Sequence, residues 1–320
     1  MNKGLVTVFG GSGFVGKYVV RALCRDGWRV RVAARRPHTC QDLKVMGDVG
    51  QVQLMQANIR FPESVERAVD GADAVVNLVA VLFEEGKQSF ESLHVNGAAT
   101  VAQAAANAGV RNFVQMSALG ADVDGQSDYA RTKGLGEQAV QEVLPSADIM
   151  RPSIIFGEED NFFNQFAAMA QYAPALPLLG GGVTKFQPAY VGDVADAIAK
   201  VAAQGTSGET YELGGPRIYS FKELLTFTLE SIDRKRLLLP VPWFGANILG
   251  GIGDISGMLP FVSPFLTKDQ VTGLKTDNIV SDSAKGFEHL GIETETIEAI
   301  VPDYLERYRK YGQFHEPRTS

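Results

Sequence analysis

Cysteine and histidine are scarce: Cys24 and Cys40 are the two cysteines of the 320 residues, and His38, His94, His289 and His315 are dispersed along the chain. Neither cysteine belongs to a CxxC or Cys/His cluster, so neither a disulfide framework nor a metal centre is expected, and no metal ligand is assigned. Positive charge is in short supply as well. Thirty Lys and Arg face 37 Asp and Glu, a net charge of −7, which is not the balance of a protein whose main partner is a nucleic acid. Long apolar runs are missing too. In the unusual stretch Leu237–Thr267, whose one charged side chain is Asp254, the longest charge-free run is Leu237–Gly253. That is shorter than the ~20 residues that span a bilayer, and Pro240 and Pro242 break its start. Met1 to Gly4 lead straight into apolar residues without a secretory leader or an Arg/Ser-rich presequence, so an intracellular location is expected.

Hydrophobic residues make up 45% and charged residues 21%, the usage of a folded globular chain. Leu5 to Phe9 is a short, continuous apolar run that meets a glycine-rich turn. Phe14, Val15, Val19, Val20 and Leu23 then recur at helical spacing. The same strand, turn and helix rhythm continues through Val30–Ala34, a helix, Val52–Gln56, Val65–Val69, Ala74–Val79, Ala98–Ala108 and Phe113–Ser117. Apolar runs of this length between helical patterns predict an α/β fold with a doubly wound parallel sheet buried on both faces. This doubly wound domain is expected over 1–155, with a later segment, about 186–204, returning to it. The remainder of 156–320 is expected to form a smaller, irregular region, with a helix over Phe221–Ser231, no regular structure from Leu237 onward and a surface helix over Val301–Tyr311.

Gly10-Gly11-Ser12-Gly13-Phe14-Val15-Gly16 follows the first strand and opens the first helix, with glycines at 10, 13 and 16. Glycine lets the turn take positive φ, lets backbone approach a pyrophosphate and lets helix pack on strand, while the helix N-terminus offers free N–H groups to the anion. About 20 residues on, where a carboxylate would hold the ribose 2′-hydroxyl of NAD, the chain instead reads Arg35-Arg36. Two guanidiniums suit a 2′-phosphate, which points to NADP or NADPH as the cofactor. Asn58 and Ile59 end the third strand where adenine would lie, and Val79 and Ala80 close the fourth near the phosphates.

Ser117 ends the fifth strand, and 12 residues later Tyr129 and Lys133 stand at i, i+4 on one helix face. An ammonium one turn away favours the phenolate, so Tyr129 could exchange a proton with a carbonyl or alcohol oxygen held by Ser117. Asn96, at the expected start of a helix, is either a fourth member of this group or a cap.

The glycine loop with Ser117, Tyr129 and Lys133 resembles the extended or atypical short-chain dehydrogenase/reductase superfamily, whose sheet is of the Rossmann type. Arg151-Pro-Ser-Ile-Ile-Phe-Gly157 resembles that superfamily's segment after the sixth strand, which implies cofactor contacts from Pro152 and Ile154. Within it, Met116-Ser-Ala-Leu-Gly-Ala121, Phe186-Gln-Pro-Ala-Tyr-Val-Gly-Asp193, Leu239-Pro-Val-Pro-Trp243, Ser263-Pro-Phe-Leu-Thr-Lys-Asp-Gln-Val271 and Thr276-Asp-Asn-Ile-Val280 are similar to the accessory-subunit family of respiratory complex I, the NADH:ubiquinone oxidoreductase. That resemblance implies tightly held NADPH, no turnover, and other complex I subunits as partners, with the chain stabilising the peripheral arm near the membrane junction. In a bacterial form, which the missing presequence suggests, the place would be the cytoplasmic face of the inner membrane. Leu237–Thr267 would then face neighbouring subunits or lipid headgroups. The intact Ser117, Tyr129 and Lys133 keep a second reading open, a free NADPH-dependent reductase or epimerase.

Overall fold

The computed structural model describes residues 3–257 and 264–314; Pro260, Ser263 and His315 lie outside them. The chain divides into two compact units, one made of Met1–Pro152, Val191–Leu213 and Ser281–Glu293, the other of Ser153–Tyr190, Gly214–Val280 and Thr294–Ser320. The return to the first unit therefore begins at Val191 rather than near 186, runs on to Leu213, and is followed by a second return that the sequence pattern did not indicate.

Numbered along the chain, the elements are β1 (Leu5–Phe9), α1 (Phe14–Arg25), β2 (Arg29–Ala34), β3 (Val52–Gln56), α2 (Pro62–Val69), β4 (Ala74–Asn77), α3 (Asn96–Asn107), β5 (Asn112–Met116), α4 (Asp128–Val143) and β6 (Asp148–Pro152). In the second unit follow β7 (Ile155–Phe156), α5 (Phe163–Tyr172), β8 (Ala175–Leu179), β9 (Lys185–Phe186) and β10 (Ala189–Tyr190), and back in the first α6 (Val191–Gln204) and β11 (Thr210–Leu213). The second unit is completed by β12 (Tyr219–Ser220), α7 (Phe221–Ser231), β13 (Leu237–Val241), α8 (Trp243–Gly257), α9 (Lys268–Gly273) and α10 (Ile297–Leu305).

The first unit holds one seven-stranded sheet in the order β11-β6-β5-β4-β1-β2-β3, with every neighbouring pair parallel. β1 is buried at all five positions, which is why it reads as an unbroken apolar run. Its one polar side chain, Thr7, donates from Oγ1 to the Ala68 carbonyl at 2.7 Å. α1 buries Gly16, Val19, Val20 and Leu23, one face at helical spacing. On one side of the sheet Phe9, Val75 and Phe113 pack with Val65, Val101 and Val140 from the helices.

The helix expected between β2 and β3 is instead two 3₁₀ turns, Pro37–Thr39 and Gln41–Met46, separated by Cys40 at φ −129° and ψ 37°. Pro37 fits a first helical position, but Cys40 is not helical and its thiol hydrogen-bonds back to the Pro37 carbonyl at 3.4 Å.

The second unit is built on an aromatic core in which Phe156, Phe163, Phe166, Phe186 and Phe221 join Leu176, Leu224 and Val301. α7 spans the expected residues and opens on a capping box between Ser220 and Glu223. The region from Leu237 onward is a correction: Leu237–Val241 is a strand parallel to Ala175–Leu179 and Trp243–Gly257 is a helix. Pro240 is tolerated because, among the described residues, β13 pairs on one side alone. The glycines that suggested breaks are close-packing positions, since a Cβ on Gly250 would lie 2.9 Å from the Lys268 nitrogen and one on Gly253 1.7 Å from the Leu266 oxygen. The C-terminal helix begins earlier than expected and is no mere surface element: Ile297, Val301 and Leu305 are buried in the core. Among the described residues no helix is long and apolar enough to cross a membrane.

Candidate nucleotide-binding site

The strand order reverses between β1, which continues to β2 and β3, and β4, which continues to β5 and β6, and ligands of open α/β sheets bind outside the carboxyl ends of the strands at such a point. Both the glycine loop and residues 78–80 stand there. Gly10 has φ +78°, and a Cβ on it would sit 3.1 Å from the Leu78 carbonyl carbon. A Cβ on Gly16 would sit 2.3 Å from the Gly10 oxygen, so the helix can lie on the turn only without one. Gly13 differs: its φ is −80° and a Cβ would meet nothing closer than the Gly10 oxygen at 3.4 Å. The fold itself does not demand glycine at 13; the room is on the open side of the loop, where Ser12 and Gly13 are exposed. Gly13 caps α1 without a side-chain bond, and the first turn, with Phe14 and Val15, carries no acidic residue. The positive end of the helix dipole is thus left for an anion.

Arg35 and Arg36 follow β2 and are exposed; Arg35 Nη1 donates to Gln88 Oε1. Asn58 accepts the Arg60 N–H at its Oδ1, 3.2 Å away. Ile59 is turned into the core, where a Cβ on Gly97 would come within 2.4 Å of its Cδ1. The Val79 N–H donates to Asn77 Oδ1 at 3.2 Å, and Ala80 is exposed.

Ser117 lies one residue past β5. Its N–H donates to the Met150 carbonyl at 2.7 Å, while its buried Oγ has no partner among the described residues, an omission that buried hydroxyls rarely show. α4 brings Tyr129 and Lys133 to the same end. Ser127 caps this helix by accepting the Ala130 N–H, and Gly136 allows it to lie against residues 91–95, because a Cβ there would be 2.1 Å from the His94 oxygen. Lys133 is 4% exposed and its Nζ donates to the Met116 carbonyl at 2.8 Å. Burial draws its pKa down to about 8, opposed by the charge of Glu137.

Tyr129 is half-buried, with the Phe90 ring edge-on at 5.8 Å and the His94 ring perpendicular at 5.4 Å. His94 is a site residue that its isolated position in the sequence did not reveal. Its Nε2 accepts the Val81 N–H at 3.1 Å, so Nδ1 carries the proton toward Thr132 Oγ1, also at 3.1 Å. Thr132 in turn donates to the Asp128 carbonyl at 2.7 Å. Burial and then the Lys133 charge hold the imidazole neutral, with a pKa near 3. His94 sits in a π-helical turn, Glu91–Val95, a local widening often found at functional positions. Because the helical stretch begins at Phe90, Asn96 lies inside it and is not a cap. Pro152 closes β6 and its carbonyl accepts the Leu119 N–H at 2.9 Å. Ile154 belongs to the second unit and packs against that unit's core.

The model of the NAD dependent epimerase/dehydratase family matches residues 6–214. The chain belongs to that family. It is 36% identical over 316 residues to the Arabidopsis thaliana protein named NADH dehydrogenase [ubiquinone] 1 alpha subcomplex subunit 9, mitochondrial, across 96% of this chain and 79% of that one. It is also 32% identical over 254 residues to the ceramide reductase of Caulobacter vibrioides, across 79% of this chain and 78% of that one. Among solved structures, the NADPH-dependent quinone oxidoreductase of Escherichia coli complexed with NADPH superposes with a TM-score of 0.73 at 19% identity, covering 94% of this chain and 99% of that chain, a likeness of fold. The residues present fit the family's dinucleotide. An uncapped helix end, the room at Gly13 and the unpartnered Ser117 Oγ are each features that a bound nucleotide and its substrate would complete.

Proposed function

We propose that this chain is an accessory subunit of respiratory complex I that holds NADPH and stabilises the peripheral arm near its junction with the membrane arm, without turning over a substrate of its own. The observation that carries this reading is the reach of the similarity. The Arabidopsis relative, by name a subunit of NADH dehydrogenase, matches over 96% of this chain, so the likeness takes in the second unit and α8 as well as the nucleotide loop. NADPH rather than NADH is favoured by Arg35 and Arg36, where a carboxylate would be needed for a free 2′-hydroxyl. Gly10, Gly13, Gly16 and the α1 N-terminus at Phe14 and Val15 would cradle the pyrophosphate, Asn58 and Ile59 the adenine, and Val79, Ala80, Ser117, Tyr129, Lys133 and Pro152 the nicotinamide half.

The second unit supplies a surface suited to assembly. Phe244, Ile248 and Ile252 stand one turn apart on α8 and are 77%, 52% and 60% exposed, while Ala246, Gly250 and Gly253 face inward. A helix with its small residues inside and its large apolar ones outside is built for a neighbour. That neighbour is another complex I subunit or the headgroup region of the membrane, at the cytoplasmic face of the inner membrane if the chain is bacterial.

A free NADPH-dependent reductase or epimerase remains the second reading, favoured by the buried Ser117 Oγ beside the Met116–Lys133 bond and by similarity to a ceramide reductase. NADPH would supply the hydride; Tyr129 would exchange a proton with the substrate oxygen and Ser117 would hold that oxygen. Gentle solubilisation of native membranes and size separation of the intact assemblies decides between the two. Co-migration with the NADH-oxidising complex in fixed stoichiometry is expected; migration as a free soluble species overturns the subunit reading. Replacing Arg35 and Arg36 together by alanine should loosen NADPH retention, and unchanged retention would refute their phosphate role.

A further inference from the structure

Arg60 has no part in the site as the sequence outlines it, yet it meets Arg35 at one turn. The connection from β4 to the π-helical segment carries a tight turn in which Glu85 and Gln88 exchange backbone hydrogen bonds of 3.2 and 2.9 Å, with Gly86 at φ +57°. Its far leg is fastened by the Phe90 N–H donating to Glu84 Oε1 at 2.7 Å. Two guanidiniums from different strand ends reach consecutive residues of this turn: Arg60 Nη1 donates to the Lys87 carbonyl at 2.9 Å and Arg35 Nη1 to Gln88 Oε1. Both acceptors are neutral oxygens. Among the described residues neither guanidinium has a carboxylate at ion-pair distance, and Arg60 Nε is buried without a partner there. Two uncompensated cations and an unmet donor, all beside the end of β2, are complementary to a compact dianion with several acceptor oxygens.

We propose that Arg60 and the Glu84–Gln88 turn complete a phosphomonoester subsite, in which Arg60 is a further guanidinium on the ribose 2′-phosphate and the turn is a strap that closes over it. The proposal deepens the NADPH reading and rests on it. The Lys87 carbonyl and the Gln88 amide occupy the two arginines when no phosphate is held; with the phosphate in place, Arg60 turns its Nε and Nη donors to the phosphate oxygens and the strap is pinned between the two arginines. Nothing in this arrangement serves a free 2′-hydroxyl, so Arg60 should discriminate between NADPH and NADH rather than raise affinity for both.

The test titrates full-length protein, stripped of nucleotide, with NADPH and with NADH, following nicotinamide fluorescence. Arg60→Ala should weaken NADPH at least tenfold and NADH less than threefold. Arg60→Gln, which keeps a donor for the Lys87 carbonyl but removes the charge, should do the same, and it decides the matter if Arg60→Ala fails to fold. Equal weakening of both nucleotides, or an NADPH affinity unchanged in both variants, overturns the proposal. A parent protein that prefers NADH overturns the NADPH reading together with it, whereas a parent that prefers NADPH with variants that keep the preference overturns the Arg60 subsite alone.

Discussion

Lys133→Met should make the nucleotide-free protein more stable at neutral pH, and the size and pH dependence of the gain follow from the burial of Lys133. In an unfolded chain a lysine titrates near 10.4, and in the fold Lys133 titrates at about 8. A depression of roughly 2.5 units at ~1.4 kcal/mol each means that holding the ammonium inside costs about 3 kcal/mol. The sign follows from proton counts. Below pH 8 both states carry the proton and the full cost applies; between about 8 and 10 the folded state releases its proton first, so the parent gains stability as pH rises. Methionine, unbranched and of similar reach, fills the same volume without charge. The Met116 carbonyl is not stranded by the change, because Gln115 Nε2 also donates to it at 3.0 Å, and Glu137 keeps both bonds from Arg151, at 2.9 and 2.6 Å. Allowing ~1 kcal/mol for the lost Nζ bond, the net gain at pH 7 is about 2 kcal/mol and shrinks toward zero by pH 10. Urea unfolding of parent and variant at pH 7 and pH 10 measures it, and taking the difference between them cancels every other titration. A variant less stable than its parent at pH 7, or an advantage equal at both pH values, would refute the argument. The same variant should bind NADPH more weakly.

His94, held neutral with a pKa near 3 against ~6.5 unfolded, should take about 2 kcal/mol of stability from the protein as pH falls from 6.5 to 5, since the unfolded state alone binds the proton; His94→Asn should flatten that slope in acid unfolding curves. Gly13→Ala should cost no more than about 1 kcal/mol, the N-cap preference, yet weaken NADPH at least tenfold, whereas Gly16→Ala, with its Cβ against the Gly10 oxygen, should cost about 2 kcal/mol or more. Thermal melts with nucleotide titrations compare the two, and equal signatures would remove the distinction. Phe244→Glu with Ile252→Glu on the exposed face of α8 should leave the melting temperature within about 2 °C, as surface changes do, but release the chain from the NADH-oxidising complex in native gels.

Where local pattern and burial coincide, the sequence was legible. β1 reads as a nearly continuous apolar run because it is buried on both faces, and Phe221–Ser231 carries its own capping box. The glycine loop could be read because its requirement for missing Cβ atoms is local. Leu237–Gly257 misled for the opposite reason: Gly250 and Gly253 are set by the backbone at 266–268, a tertiary contact invisible to periodicity, and Pro240 by a strand whose partner is Ala175–Leu179. His94 and Arg60 escaped notice because each acts through groups far along the chain, Val81 and Thr132 for one and Lys87 for the other. The one signal for Arg60 was its place directly after Asn58 and Ile59.

The features that resemble an active site are also features that the polypeptide by itself bears at a loss. An ammonium at Lys133 with a depressed pKa, an unpartnered Ser117 Oγ and an unpartnered Arg60 Nε each oppose folding without a ligand. A nucleotide that satisfies them is bound by the native state alone and stabilises it by ~2.7 kcal/mol at a hundred times its dissociation constant. An intact Ser117, Tyr129 and Lys133 is therefore compatible with a chain that never turns over, because the same groups that would serve a reductase make NADPH a structural ligand. What separates the two roles is exchange. A reductase must release oxidised nucleotide every cycle, while a subunit stabilised by NADPH loses that stability whenever the nucleotide leaves. The half-life of bound NADPH, chased with unlabelled nucleotide, should exceed the hours of a purification; exchange within seconds would assign Tyr129 to catalysis.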